Sequence, residues 1–117
     1  MKKYTGFQHV IKATGYSMQG LKSALKETAF RHELFLAAIL IPLAFYLGDT
    51  KVEIALMVGS VLMVLALELL NSAIEAVVDR VSTEHHELSG RAKDQGSAAV
   101  FVGMVTCAAV WAIIIFL

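Results

Sequence analysis

The chain opens with apolar positions at helical spacing and then becomes apolar in blocks. Over residues 5–29, Phe7, Val10, Ile11, Thr14, Met18, Leu21 and Leu25 recur at intervals of three and four, giving one helical stripe. Lys12, Lys22 and Lys26 fall mainly off that stripe. Such a helix is expected in the membrane interface, its cations toward anionic headgroups, or packed against the remaining helices. Three apolar runs follow. Residues 34–47, extended backwards by Phe30 and Ala29, predict a helix over about 30–47, and 52–67 with its polar-spotted continuation predicts one over 52–78. Residues 98–117 carry no charge, and a helix of about that length spans the hydrocarbon of a bilayer. Pro42 is tolerable inside the first run because neighbouring helices can accommodate a kink. Gly48-Asp49-Thr50 makes a natural turn before the second run. The expected architecture is an all-α membrane protein, a surface helix plus three transmembrane helices in one domain over residues 1–117.

Composition agrees. The chain is 57% hydrophobic, above the roughly 45–50% of ordinary soluble domains, and a small domain has too little interior to hide the excess. The net charge of zero leaves no basic face of the kind a nucleic-acid partner requires. Cys107, the one cysteine, sits in an apolar run, can form no internal disulfide and lacks the companions of a zinc site. It reads as a small buried hydrophobe.

Charge also orients the chain. Lys2, Lys3, Lys12, Lys22, Lys26 and Arg31 precede the first span, Arg80, Arg91 and Lys93 lie between the second and third, and only Lys51 falls in the first loop. The positive-inside rule then places the N-terminus and second loop in the cytoplasm and the C-terminus outside. A cleaved signal is a poor reading of the first span, which starts late and lacks an A-x-A site.

The chemistry concentrates at the end of the second span, Glu68-Leu-Leu-Asn71-Ser-Ala-Ile-Glu75-Ala-Val-Val-Asp79. At about 100° per residue, Glu68, Glu75 and Asp79 point within roughly 20° of one direction, with Asn71 about 60° to the side. An ionisable residue at membrane depth costs roughly 2.5–3.5 kcal/mol on insertion scales and marks function by default. Pairing with Lys or Arg of a neighbouring helix is the structural alternative. Clustered carboxylates suit Mg²⁺, a hard cation often shared with substrate phosphates, or a proton relay in a transporter. Transporters usually carry more spans and inverted repeats, and this chain shows neither. The polar stretch Arg80–Ser97 that follows supplies Arg91 and Lys93 for phosphate oxygens, and positioning plus charge neutralisation is most of what phosphoryl transfer requires.

Other motifs fail. Gly15-Tyr-Ser-Met-Gln-Gly20-Leu21-Lys22-Ser23 is no P-loop, since Leu21 intrudes and no strand precedes it. His32-Glu33 and His86-Glu87 lack the second histidine of H-E-x-x-H, and no Glu-x-x-His of a di-iron bundle occurs. His85 and His86 diverge if helical, which makes a histidine-pair metal site a minor reading.

Glu68-x-x-Asn71-Ser-Ala-Ile-Glu75-x-Val-Val-Asp79, then Glu84-x-His86-Glu87-Leu-Ser-Gly-Arg-Ala-Lys93-Asp94-x-Gly-Ser-Ala-Ala-Val, strongly resembles the prokaryotic diacylglycerol kinase family. The likeness includes Thr5-Gly-Phe, Ala13-x-Gly-Tyr16-Ser17-x-x-Gly20-Leu and Glu27-x-Ala29-Phe-Arg31-x-Glu33. The resemblance implies a homotrimer in the bacterial inner membrane, with active sites between subunits at the cytoplasmic face. Its reaction would be Mg²⁺-dependent phosphorylation of diacylglycerol by ATP for phospholipid recycling, with undecaprenol as the alternative lipid. It further implies Glu68 as the general base with Asn71 beside it, and Glu27 and Glu75 on the metal that ATP carries. His9, Tyr16, Glu84, His85, His86, Lys93 and Asp94 would complete the nucleotide site, and Ser17, Lys22, Ala29, Arg31, Glu33, Ser97 and Trp111 would touch lipid. His9 stands where arginine is expected in the family, and Met18 where tryptophan is.

Overall fold

The computed structural model describes residues 5–117, so Lys2 and Lys3 of the charge asymmetry lie outside the described residues. Four α-helices follow one another: α1 Gly6–Ala24, α2 Thr28–Leu47, α3 Lys51–Val81 and α4 Glu87–Phe116. Among the described residues there is no strand. The last three helices are each long and apolar enough to cross a membrane, and the chain is a multi-pass membrane protein.

The central element is α3, with α2 and α4 packed on it. On α2, Phe30, Ala37 and Ala44 recur every seven residues and are buried, placing two methyl side chains where backbones must approach closely. Gly96 and Gly103 do the same on α4. A Cβ at Gly103 would lie 2.6 Å from Leu67 Cδ1, and one at Gly96 would collide with Asn71 Oδ1. Met57, Val61 and Trp111 join Ala37 and Ala44 in the apolar core. Trp111 donates its indole N–H to the Met57 carbonyl at 3.2 Å, and Ser60 Oγ donates to the same carbonyl at 2.9 Å. Trp111 is thus a core residue of the bundle rather than an interfacial anchor.

The turn between α2 and α3 follows the Gly-Asp-Thr reading. Thr50 caps α3 by accepting from Glu53 N at 3.2 Å, and Glu53 Oε1 reaches back to Asp49 N at 3.0 Å, a variant of the capping box. Gly48 is required by proximity, since a Cβ there would lie 2.5 Å from Ile54 Cγ1 and 3.0 Å from the Ala44 carbonyl oxygen.

Two boundaries differ from the pattern of the sequence. The surface helix expected over 5–29 ends at Ala24, and an elbow at residues 25–27 separates it from α2, to which Ala29 belongs. Arg31 holds the elbow, donating from Nη1 to the Leu25 carbonyl at 2.9 Å and from Nη2 to Thr28 Oγ1 at 3.3 Å. The third membrane helix, expected from residue 98, begins at Glu87. Its N-cap is His86, whose Nδ1 accepts from Leu88 N at 3.0 Å. Most of the polar stretch after α3 is therefore helix, and the loop is only residues 82–86.

Candidate active site

The three carboxylates of the α3 stripe sit in three different settings. Glu68 is only 8% exposed, and its side chain lies beside another carboxyl group, that of Glu33 on α2. Glu33 Oε2 is buried with no donor opposite it. Two carboxyl groups side by side offer four acceptor oxygens and no donor unless a proton or a hydroxyl lies between them. Glu75 and Glu27 are further carboxyl groups in the neighbourhood of Glu68.

Glu75 is exposed and is held by Asn71, whose Nδ2 donates to Glu75 Oε1 at 3.2 Å. Asn71, 8% exposed, faces Gly96 of α4 with its Oδ1, which is buried without a donor. Asn71 therefore supports Glu75 through this bond. Asp79, the third carboxylate, pairs with Lys93 of α4 at 2.7 Å, both side chains about half exposed. Pairing with a neighbouring helix is thus realised at Asp79.

From the elbow, Glu27 meets α3 through Ser72, whose Oγ donates to Glu27 Oε2 at 2.5 Å. A cavity of about 540 Å³ opens beside this contact, lined by Ser17, Ser23, Glu27 and Ser72 among others. Sequence alone does not single out Ser72, because a serine inside a membrane helix more often satisfies itself on its own backbone.

Around the α3–α4 turn, a polar cavity of about 250 Å³ is lined by Asp79, Ser82, Thr83, Glu84, His85, His86, Ser89 and Lys93. The single chain thus gathers Glu84, His85, His86 and Lys93 of the expected nucleotide residues. His9 and Tyr16 stand exposed on α1 and do not line this cavity. Asp94, next to Lys93 on a helix, diverges from it by about 100°. Among the expected lipid contacts, Ser17 bonds back to the Ala13 carbonyl at 3.0 Å. Lys22, Ala29 and Ser97 are exposed, while Arg31 is engaged with the elbow. The reason for the scatter is packing: Ala24 is the only buried residue of α1, so most of that helix stands away from its own bundle.

An apolar groove of about 380 Å³ runs between α2, α3 and α4, lined by residues including Leu36, Leu40, Val64, Met104 and Trp111, with Glu33 as its one charged member. It leads to the carboxyl pair from within the membrane helices.

The donor set bears on a divalent cation. Among the described residues no three His, Cys, Asp or Glu side chains gather as a cation cage. Mg²⁺ shared with phosphates needs only one or two carboxylates, the rest of its shell being water and phosphate oxygen. Glu27 and Glu75 are two such carboxylates, each steadied through one oxygen by a neighbouring donor. The residues fit the ion.

These features define a polytopic helical membrane protein with an acidic site at one end of its central helix and an apolar groove leading to it. The family model for prokaryotic diacylglycerol kinase matches residues 15–115. The chain is 67% identical over 117 residues to a diacylglycerol kinase of Haemophilus influenzae, covering 99% of each. It is 50% identical over 115 residues to one of Pseudomonas aeruginosa, covering 97% of this chain and 94% of the relative. With one of Escherichia coli it shares 46% over 113 residues, 96% and 93% of the two chains. The chain belongs to the prokaryotic diacylglycerol kinase family and is a lipid kinase.

Proposed function

We propose that the protein transfers the γ-phosphoryl group of ATP to the free hydroxyl of diacylglycerol, giving phosphatidic acid and ADP for phospholipid recycling. The observation that carries this reading is the Glu33–Glu68 carboxyl pair at the polar end of an apolar groove. A lipid with its chains along the groove brings a hydroxyl to the place where a buried carboxyl oxygen, Glu33 Oε2, lacks a donor. Glu68 takes the hydroxyl proton as the oxygen attacks the γ-phosphorus and the bond to the ADP oxygen breaks, the base role that a positioned carboxylate can serve. Lys93, held by Asp79 beside the polar cavity, neutralises phosphate oxygens. Glu27 and Glu75 would hold Mg²⁺, which when bound would neutralise charge on the phosphates.

The surroundings follow from the same reading. Lysines and arginines near the ends of the spans favour a bacterial inner-membrane orientation with α1 and the α3–α4 turn at the cytoplasmic face. The apolar stripe of α1, exposed at Phe7, Val10, Ile11 and Met18, is covered by lipid and by neighbouring subunits of a homotrimer. That assembly brings His9, Tyr16 and Asp94 to the nucleotide.

Purified protein given ATP, Mg²⁺ and either diacylglycerol or undecaprenol tests the assignment. Phosphatidic acid formed in preference to the polyprenyl phosphate is expected. Preferential turnover of undecaprenol would replace the substrate, and ATP turnover indifferent to added lipid would reject the reading.

A further inference from the structure

Several hydroxyl side chains on these helices turn back on their own backbone. Thr14, Ser17 and Thr106 donate to the carbonyl four residues earlier, and Ser60 to the one three earlier, the local satisfaction common in mid-helix. Ser72 does otherwise. Half-buried on α3, it reaches a carboxylate 45 positions away in sequence, Glu27 Oε2, at 2.5 Å. That length belongs to a charge-assisted O–H···O⁻ bond.

Glu27 makes the complementary departure. It occupies the N-cap of α2, yet its side chain caps nothing. Glutamate is not among the preferred N-cap residues, so capping does not explain position 27, whereas the bond to Ser72 does. The other elbow bonds, from Arg31 to Leu25 and Thr28, stay local. Among the described residues, Ser72–Glu27 is the hydrogen bond that joins the elbow to α3. The residue before Ser72 acts in parallel, since Asn71 steadies Glu75. Two consecutive α3 side chains thus hold two carboxylates that come from different parts of the chain.

We propose that Ser72 is a positioning residue for phosphoryl transfer: its hydroxyl engages Glu27 Oε2, fixes the elbow carboxylate against α3, and leaves Oε1 for a divalent cation shared with Glu75 and the nucleotide phosphates. This rests on the assignment of Glu27 and Glu75 to the cation. The bond needs a hydroxyl donor at position 72 rather than merely a small side chain, which is what separates positioning from packing.

The test uses full-length protein in lipid nanodiscs with Mn²⁺ as the probe, its binding followed by electron paramagnetic resonance with a non-hydrolysable ATP analogue. Ser72→Ala is expected to weaken Mn²⁺ binding roughly five- to twenty-fold, the scale of one lost hydrogen bond to a charged group at a partly exposed site. The Mg²⁺ needed for half-maximal turnover should rise in parallel, with KM for the lipid unchanged. Ser72→Thr keeps the hydroxyl and should bind Mn²⁺ within about two-fold of the parent. In the Glu27→Gln background, Ser72→Ala should add no further loss, as expected for residues that act as one unit. Unchanged Mn²⁺ binding in Ser72→Ala, a threonine variant as weak as alanine, or additive losses in the double variant would each overturn the proposal. Loss in Glu27→Gln with none in Ser72→Ala rejects the role of Ser72 alone. No loss in Glu27→Gln rejects the cation assignment and the proposal together. Should the alanine variant fail to assemble, Ser72→Cys, of similar size but a weak donor, makes the same comparison.

Discussion

The two halves of α3 bury their side chains by opposite means. Near the α2–α3 turn, Met57 and Val61 pack against Ala37, Ala44 and Trp111 in an apolar core, and the polar donors there, the indole N–H and the Ser60 hydroxyl, both find the Met57 carbonyl. Toward the α3–α4 turn, Glu68 and Asn71 are also buried, but each keeps company with another polar group, and Glu33 Oε2 and Asn71 Oδ1 remain without donors. Unsatisfied buried acceptors cost about 1–3 kcal/mol each, so the second half is stabilised less by its own contacts. The first half holds the bundle together, and in the proposed function the second uses that stability to keep acidic groups where a substrate can meet them.

Glu68→Gln should break the contrast most strongly. Loss of a general base is worth about 10²–10⁴-fold in kcat, with ATP affinity and thermal stability retained because the amide keeps the side chain's shape. Near-normal turnover in the folded variant would remove the base role. The same variant tests the subunit arrangement. Mixed oligomers with inactive Lys93→Ala chains should regain activity if the two residues meet from different subunits, and no recovery in verified mixtures would place each site within one chain.

A smaller effect is expected from Gly96→Ala. The new methyl collides with Asn71 Oδ1, and overpacking typically costs about 1–3 kcal/mol. Passed through Asn71 to Glu75, this should lower turnover at limiting Mg²⁺ roughly ten-fold, with partial recovery at high Mg²⁺. A uniform loss insensitive to Mg²⁺ would mean that the glycine serves helix packing alone.

Least of all should Gly48→Ala affect catalysis. It crowds Ile54 and the Ala44 carbonyl at the far end of α3 and should destabilise the bundle by about 1–2 kcal/mol, read as a lower Tm with unchanged kcat. A fall in kcat that outruns the stability loss would show that the two halves are coupled.

How far the sequence reaches follows the same division. Three apolar runs announce three membrane helices, and the 100° period by itself aligns Glu68, Glu75 and Asp79 on one face. The elbow at residues 25–27 is not legible, because Leu25-Lys26-Glu27 contains neither Gly nor Pro and the break is held by Arg31 from the next helix. The early start of α4 is hidden because polarity over residues 87–97 reads as loop, although a helix extending past the hydrocarbon needs no apolar face there. Partnerships such as Glu33 with Glu68 or Ser72 with Glu27 depend on how helices dock, and spacing along one helix carries no record of that.

The length of α3 has a consequence for rate. Its 31 residues make a rod of about 46 Å, against a hydrocarbon thickness of about 30 Å, so one rigid element runs from bilayer interior to its edge. A lipid substrate served by such an element never has to leave the sheet in which it is dissolved. Its availability is then set by how many neighbours in that plane are substrate, and adding inert lipid should slow the enzyme even when the total amount of substrate in the tube is unchanged.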